Sequence, residues 1–112
     1  MKKEIKVYTK LNNVEECNLF FAIIQDDVIK YIDLENNKMT IDKEKGIIIR
    51  ENREYLFTMN FKDNIIKIYA KKLKSSFDKE IKTIVLENSN KRFIVRYLLS
   101  DETIVNEYCI YF

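Results

Sequence analysis

At 112 residues the chain is long enough to close one hydrophobic core and too short for two. With 46% hydrophobic and 34% charged residues it falls outside the disordered and membrane-helix classes, and its most apolar run, residues 19–24, is far short of the roughly 20 residues a spanning helix needs. Twenty basic against 18 acidic residues leave a net charge of +2, too small for a dedicated duplex binder, and the 16 lysines accompany 17 isoleucines and 11 asparagines, a bias that an A+T-rich coding sequence produces by itself.

Residues 3–9 alternate polar and apolar side chains behind two lysines. No apolar stretch or cleavage site follows, so the cytoplasm is the expected compartment. After the polar corner at Leu11, Asn12 and Asn13, residues 17–24 read as a strand whose run from Leu19 to Ile24 is apolar on both faces and must be covered twice or meet a partner. The same stretch also fits a helix capped by Asn13 with Val14, Cys17 and Phe21 on one face, so residues 13–24 stand open between helix and strand.

Strands follow at 27–34 and 38–42, and then comes Gly46, the one glycine of a chain with no proline. A phosphate cradle needs several glycines and a following helix. A lone glycine between KMTID and IIIRE is instead a hairpin corner that needs one residue at positive φ. The strand at 47–51 carries Arg50 on the face of Ile48. At 54–61, Tyr55, Phe57, Met59 and Phe61 share a face, and at 65–71, Ile66, Ile68 and Ala70 oppose Ile65, Lys67, Tyr69 and Lys71. Residues 71–82 mix helical and strand spacing. Runs at 80–86, 92–99 and 103–112 complete the series, with Phe93, Val95, Tyr97 and Leu99 set against Arg92, Ile94, Arg96 and Leu98.

Asn- and Asp-rich clusters separate these runs and can take the left-handed backbone that glycine usually supplies. The expected fold is all-β: one domain over 1–112, an antiparallel meander of about eight to ten strands with room for one short helix, closed into a small barrel that leaves no edge.

The absence of histidine removes the usual general base near neutral pH, the Ser-His and Cys-His nucleophile pairs, and most zinc sites. The carboxylate pairs Asp26–Asp27, Glu15–Glu16 and Asp101–Glu102 lie in or beside turns, where solvated acids are the norm, so no catalytic residue, metal or cofactor is expected. Cys17 and Cys109, without a CxxC motif, read as reduced thiols, Cys109 packed in the last strand.

The four arginines carry more information. If the face bearing Arg50 or Arg96 lines the barrel, each guanidinium must find an anion or a carboxylate. Otherwise it lies on the outer wall, or pairs with an acid such as Glu107. Arg50, Arg96 and Tyr97 are the candidate ligand-binding residues. Lys67, Tyr69 and Lys71, with Tyr31 and Tyr108 elsewhere, make the alternative set, an aromatic and basic surface for stacking single-stranded nucleic acid, against which the low net charge weighs.

In pattern and order, the succession VIKYIDLENN, KMTIDKEKGIIIREN, EYLFTMNF, IIKIYAKK and KRFIVRYLLSDETIVNEYCIYF resembles the YwiB-like family of small bacterial proteins, which have no assigned activity and a calycin-like β-barrel similar in shape to lipocalins. The resemblance implies such a barrel over most of the chain. It also implies a positive φ at Asn52, two places after Arg50, where family members carry glycine. The family's later aromatic-glycine turn has no counterpart near residues 72–82. No activity follows from the resemblance.

Binding rather than catalysis is the expected function: a barrel that takes an apolar or amphipathic small molecule at its mouth, or a protein partner at an edge. A second copy pairing through residues 18–25 or the last strand is one such partner. An interior packed solid by Phe57, Phe61, Phe93 and Tyr97 leaves the partner alone. The alternatives are an enzyme using a barrel-lining Arg with a Glu or Tyr, and the nucleic-acid surface. No membrane association is expected.

Overall fold

The computed structural model describes residues 1–100 and 102–112. Ten strands run in order: β1 (Lys2–Leu11), β2 (Val14–Gln25), β3 (Val28–Ile32), β4 (Lys38–Asp42), β5 (Ile47–Glu51), β6 (Tyr55–Asn60), β7 (Ile65–Ala70), β8 (Ser75–Asn88), β9 (Arg92–Leu99) and β10 (Val105–Tyr111). Each is antiparallel to its neighbours in the chain, and β10 pairs with β1 to close the barrel. No described residue is helical, so neither segment left open between helix and strand forms a helix. Asn12 and Asn13 both take positive φ, 52° and 65°, and so make the two-residue hairpin corner that joins β1 to β2. Asn13 is therefore a turn residue rather than a helix cap. Residues 71–74 turn, with Lys74 at φ 48°, and β8 begins at Ser75.

Asparagine and aspartate take the place of glycine elsewhere too: Asp26, Asn36 and Asn64 adopt φ of 54°, 62° and 57°. Asn52 does not. Its side-chain oxygen instead accepts from the backbone N–H groups of Glu54 and Tyr55, at 2.9 Å each, and shapes the β5–β6 turn without a left-handed residue. Gly46 has φ 65°, and a Cβ there would lie 3.2 Å from Leu86 and 3.3 Å from Lys62. The left-handed turn favours glycine, and any Cβ would oblige the Leu86 or Lys62 side chain to shift by a few tenths of an ångström.

Side chains alternate in and out along most strands, and the two ends of the interior differ. At the rim formed by the β2–β3, β4–β5, β6–β7 and β8–β9 turns, Ile5, Ile29, Ile41, Ile48, Phe61, Phe93 and Ile110 are fully buried. The Thr83 hydroxyl donates to the Phe61 carbonyl at 2.8 Å, and Lys43 lies 4.4 Å over the ring of Phe112. This end is closed. At the opposite rim the interior residues are Tyr31, Met39, Arg50, Phe57, Tyr97, Asn106 and Tyr108, and the barrel is open.

Two long strands are only half incorporated. β2 pairs with β1 along residues 14–23 but with β3 only from Ile23 to Gln25, and residues 75–80 of β8 are registered with β7 alone. A bulge between Thr83 and Val85 bends β8 where its pairing with β9 begins. The sequence places this strand at 80–86; it extends further because hairpin pairing with β7 suffices to hold residues 75–80. No described helix is long and apolar enough to cross a membrane.

Candidate functional site

The open half of the interior holds two adjoining hollows of about 130 and 230 Å³. The smaller lies between β1–β5 and β10, lined by Thr9, Asn18, Tyr31, Asp33 and others; the larger faces β5–β10, lined by Phe57, Met59, Ile66, Ile68, Tyr97 and Leu99 among others. Arg50, Leu11 and Tyr108 belong to both. Of the four aromatics that would fill a solid interior, Phe61 and Phe93 pack the closed end while Phe57 and Tyr97 line the larger hollow.

Arg50 points inward because it follows Ile48 by two on β5, and Ile48 is fully buried. Its register partners are Met39 on β4 and Phe57 on β6, and its guanidinium carbon sits 4.6 Å over the Phe57 ring. The Arg50 Nε is buried and finds no acceptor. Among the described residues three ion pairs form, Lys71–Glu51, Arg92–Glu87 and Arg96–Glu107, and Arg50 is in none of them. Asp33, which lines the smaller hollow, is occupied by its own loop. Its oxygens accept from the backbone N–H groups of Glu35 and Asn37 at 3.0 and 2.9 Å and from Asn37 Nδ2 at 3.0 Å.

A second stranded donor lines the larger hollow. Asn106, 3% exposed on β10, accepts the backbone N–H of Asn12 at 3.0 Å through Oδ1, which ties the β1–β2 corner to the barrel wall. Its Nδ2 is buried without a partner. Such groups are costly when left dry, about 1–3 kcal/mol each. No carboxylate lines this hollow, and Lys79 stands at its edge.

Three tyrosines complete the site. Burial pushes the Tyr31, Tyr97 and Tyr108 hydroxyls above their ordinary range; nearby Arg50 pulls Tyr97 and Tyr108 partly back, and Asp33 pushes Tyr31 and Tyr108 further up. They are neutral hydroxyls at physiological pH, suited to hydrogen bonding and not to proton abstraction. The Tyr97 hydroxyl approaches Met59 Sδ at 3.9 Å.

Arg96 does not join Arg50 and Tyr97. It lies on the outer wall with Nε donating to Glu107 at 3.1 Å, because β9 turns its Phe93, Val95 and Tyr97 face inward. Glu107 also accepts from the Cys109 thiol at 3.0 Å. Burial would raise the Glu107 carboxyl, but the Cys109 and Arg96 hydrogen bonds hold it below the ordinary range. Burial and Glu107 push the Cys109 thiol up to about 12, so it is a packed thiol and not a nucleophile. Cys17 and Cys109 are both registered with Tyr8 from opposite sides of β1. Two strand spacings, about 10 Å, separate them, more than the ~7 Å a disulfide spans.

The aromatic and basic set is dispersed. Tyr31 and Tyr108 are buried inside the barrel, so neither offers a face to a base. Lys71 donates to Glu51 at 2.7 Å and to the Asn52 carbonyl at 2.8 Å, and Lys67 stands opposite Asp78. Tyr69 alone remains as an exposed ring on that face. The carboxylate pairs sit at corners: Asp26 at positive φ, Glu15 accepting from the Tyr8 hydroxyl at 3.0 Å, and Asp101 outside the described residues. No group of three or more His, Cys, Asp or Glu among the described residues is placed to hold a metal.

Sequence reasoning passes over Asn106, although its alternation with Tyr108 and Ile110 places it on the buried face of β10. Set against protein-family models, curated proteins and solved structures, the chain matches none of them.

Proposed function

We propose that this protein is a calycin-like, lipocalin-type barrel of the YwiB-like kind that binds a small amphipathic molecule in its open half, without catalysis. The observation that supports this is the division of the interior: one half is packed by isoleucine and phenylalanine, while the other keeps a hollow of about 230 Å³ walled by apolar side chains with a few polar groups among them. Ligand sites are built that way, and this one, somewhat smaller than their usual range of about 300–1,000 Å³, suits only a small ligand. An enzyme using Arg50 with a Glu or Tyr is less well supported, because the larger hollow has no carboxylate and its tyrosines keep their protons. Unpaired Cys17 and Cys109 suit a reducing compartment, consistent with the cytoplasm. The test is native mass spectrometry of protein purified from its own host, with displacement of an environment-sensitive apolar dye by small amphiphiles. Loss of dye signal on adding amphiphile is expected; a dye that never enters the barrel, together with an unliganded mass, would overturn the reading.

A second reading as an interaction module rests on the outer face of β2. Leu19, Phe21 and Ile23 project outward there, Phe21 79% exposed, with Ile32 beside Phe21 and Ile23. The occupant that fits is a second copy of this chain, because residues 14–22, paired on one side only, offer an edge that an identical strand can meet antiparallel across a two-fold axis. A concentration-dependent dimer that Phe21→Lys abolishes is the expected result; a wild-type monomer at high concentration removes this reading.

A further inference from the structure

We infer that the larger hollow is a carboxylate site, in which Arg50 Nε and Asn106 Nδ2 hold the acid group of a small monoacid while its apolar body lies against Met59, Ile66 and Ile68. This deepens the binding reading above and rests on it.

Both stranded polar atoms are donors, and both belong to residues that line the larger hollow. A buried donor lacks an acceptor, so the missing group must bring oxygen lone pairs. Of the two donors one is cationic, and the wall adds a second cation in Lys79 and no negative charge, so the acceptor that balances the site is an anion. A neutral alcohol or amide would satisfy the hydrogen bonds and leave the guanidinium unbalanced. An ammonium would add a further cation to Arg50 and Lys79.

The number of donors restricts the anion further. One guanidinium edge and one amide N–H suit the two oxygens of a carboxylate, which guanidinium recognises in plane. A phosphate carries three or more oxygens and up to two charges, more than the two stranded donors satisfy; because Lys79 and the Tyr97 and Tyr108 hydroxyls also stand on this wall, the phosphate arm of the titration below decides between the two anions. The smaller hollow is the wrong place for an anion, since Glu16, Asp33 and Glu35 line it. Arg50 stands between the two, and the acids on one side direct an anion to the other.

Calorimetric titration of the wild-type protein at neutral pH with octanoate, 1-octanol, octylamine and inorganic phosphate tests the inference. Octanoate is expected to bind roughly ten- to a hundredfold more tightly than octanol, the usual worth of a charge-assisted hydrogen bond, with octylamine and phosphate weaker still. Arg50→Gln and Asn106→Leu should each reduce octanoate affinity about tenfold or more and leave octanol unchanged, and Arg50→Lys should restore part of the loss. Equal affinity for octanoate and octanol would overturn the carboxylate assignment while leaving the binding barrel standing. Phosphate binding as tight as octanoate would overturn it in favour of an unselective oxyanion site. If neither amphiphile binds and neither displaces the dye, the assignment and the binding reading fall together. Because the comparison among ligands uses the unaltered protein, a variant that fails to fold leaves the result decisive.

Discussion

The two halves of the barrel are built from the same alternating strands and filled by different chemistry. Where Phe61, Phe93 and five isoleucines meet, each side chain completes its neighbours' packing. Toward the other rim of the same strands, Tyr31, Tyr97, Tyr108, Asn106 and Arg50 occupy equivalent inward positions and leave space and unused donors among them. The first arrangement holds the sheet closed. The second gives up part of that stability by leaving Arg50 Nε and Asn106 Nδ2 buried without partners. A small domain with one core can do both only if the division is spatial.

The sharpest test is therefore a truncation in the closed half. Phe93→Ala removes a fully buried ring and should cost about 3–5 kcal/mol in urea unfolding; a loss under about 1 kcal/mol would mean the two halves do not differ. Alkaline titration probes the open half alone. Tyr31, Tyr97 and Tyr108 hold their protons above the ordinary 10.0 in the folded state, so the unfolded chain ionises first. Their contribution is fully present below pH 10 and is lost as pH rises through the folded values. Tyr97→Phe should weaken that fall, measured by thermal unfolding between pH 9 and 11; an unchanged limb would remove Tyr97 from the account.

Gly46→Ala should cost about 1–2 kcal/mol, from the left-handed backbone and the approach to Leu86. A neutral result would show that the corner relaxes. Arg50→Met should go the other way. Losing a stranded buried donor returns about 1–3 kcal/mol, and losing the stacking on Phe57 gives back about 0.5–1, so a gain near 1 kcal/mol is expected in chemical denaturation. Destabilisation would make Arg50 part of the scaffold. The smallest effect belongs to the outer wall: Arg96→Ala should cost under about 1 kcal/mol. Glu107, lowered from the ordinary 4.5, contributes stability that is present above 4.5 and lost as pH falls through its folded value. In Arg96→Ala that acid limb should move to higher pH.

The strand order was legible because most strands bury one face, and burial of one face writes itself into the sequence with period two. Where that constraint fails, so does the reading. The outer side of β2 carries Leu19, Phe21 and Ile23, so both faces look apolar and a helix fits equally well. Residues 75–79 of β8 lack a neighbour on one side, and residues 75–80 are exposed, which frees SSFDKE from any pattern. The arginines illustrate the same limit. Arg50 and Arg96 each stand two residues from an isoleucine on their own face, and β5, reading IIIRE, gives no contrast between faces. In β9 the contrast exists, since Phe93, Val95 and Tyr97 outweigh Arg92 and Arg96. Asn106 was equally legible from its alternation with Tyr108 and Ile110. What no single strand discloses is that Arg50 and Asn106, 56 positions apart, border one space.

Nine of the ten strand pairings join consecutive strands, and the seam between β1 and β10 is the exception. Hairpins form early because their ends are near in the chain, whereas the seam must recover the entropy of a loop of nearly the whole polypeptide. The pocket straddles that last event, since Leu11 comes from β1, Asn106 and Tyr108 from β10, and Arg50 from the middle of the chain. An occupant would thus grip the latch of the barrel, slowing its escape from the native state more than it hastens its arrival there.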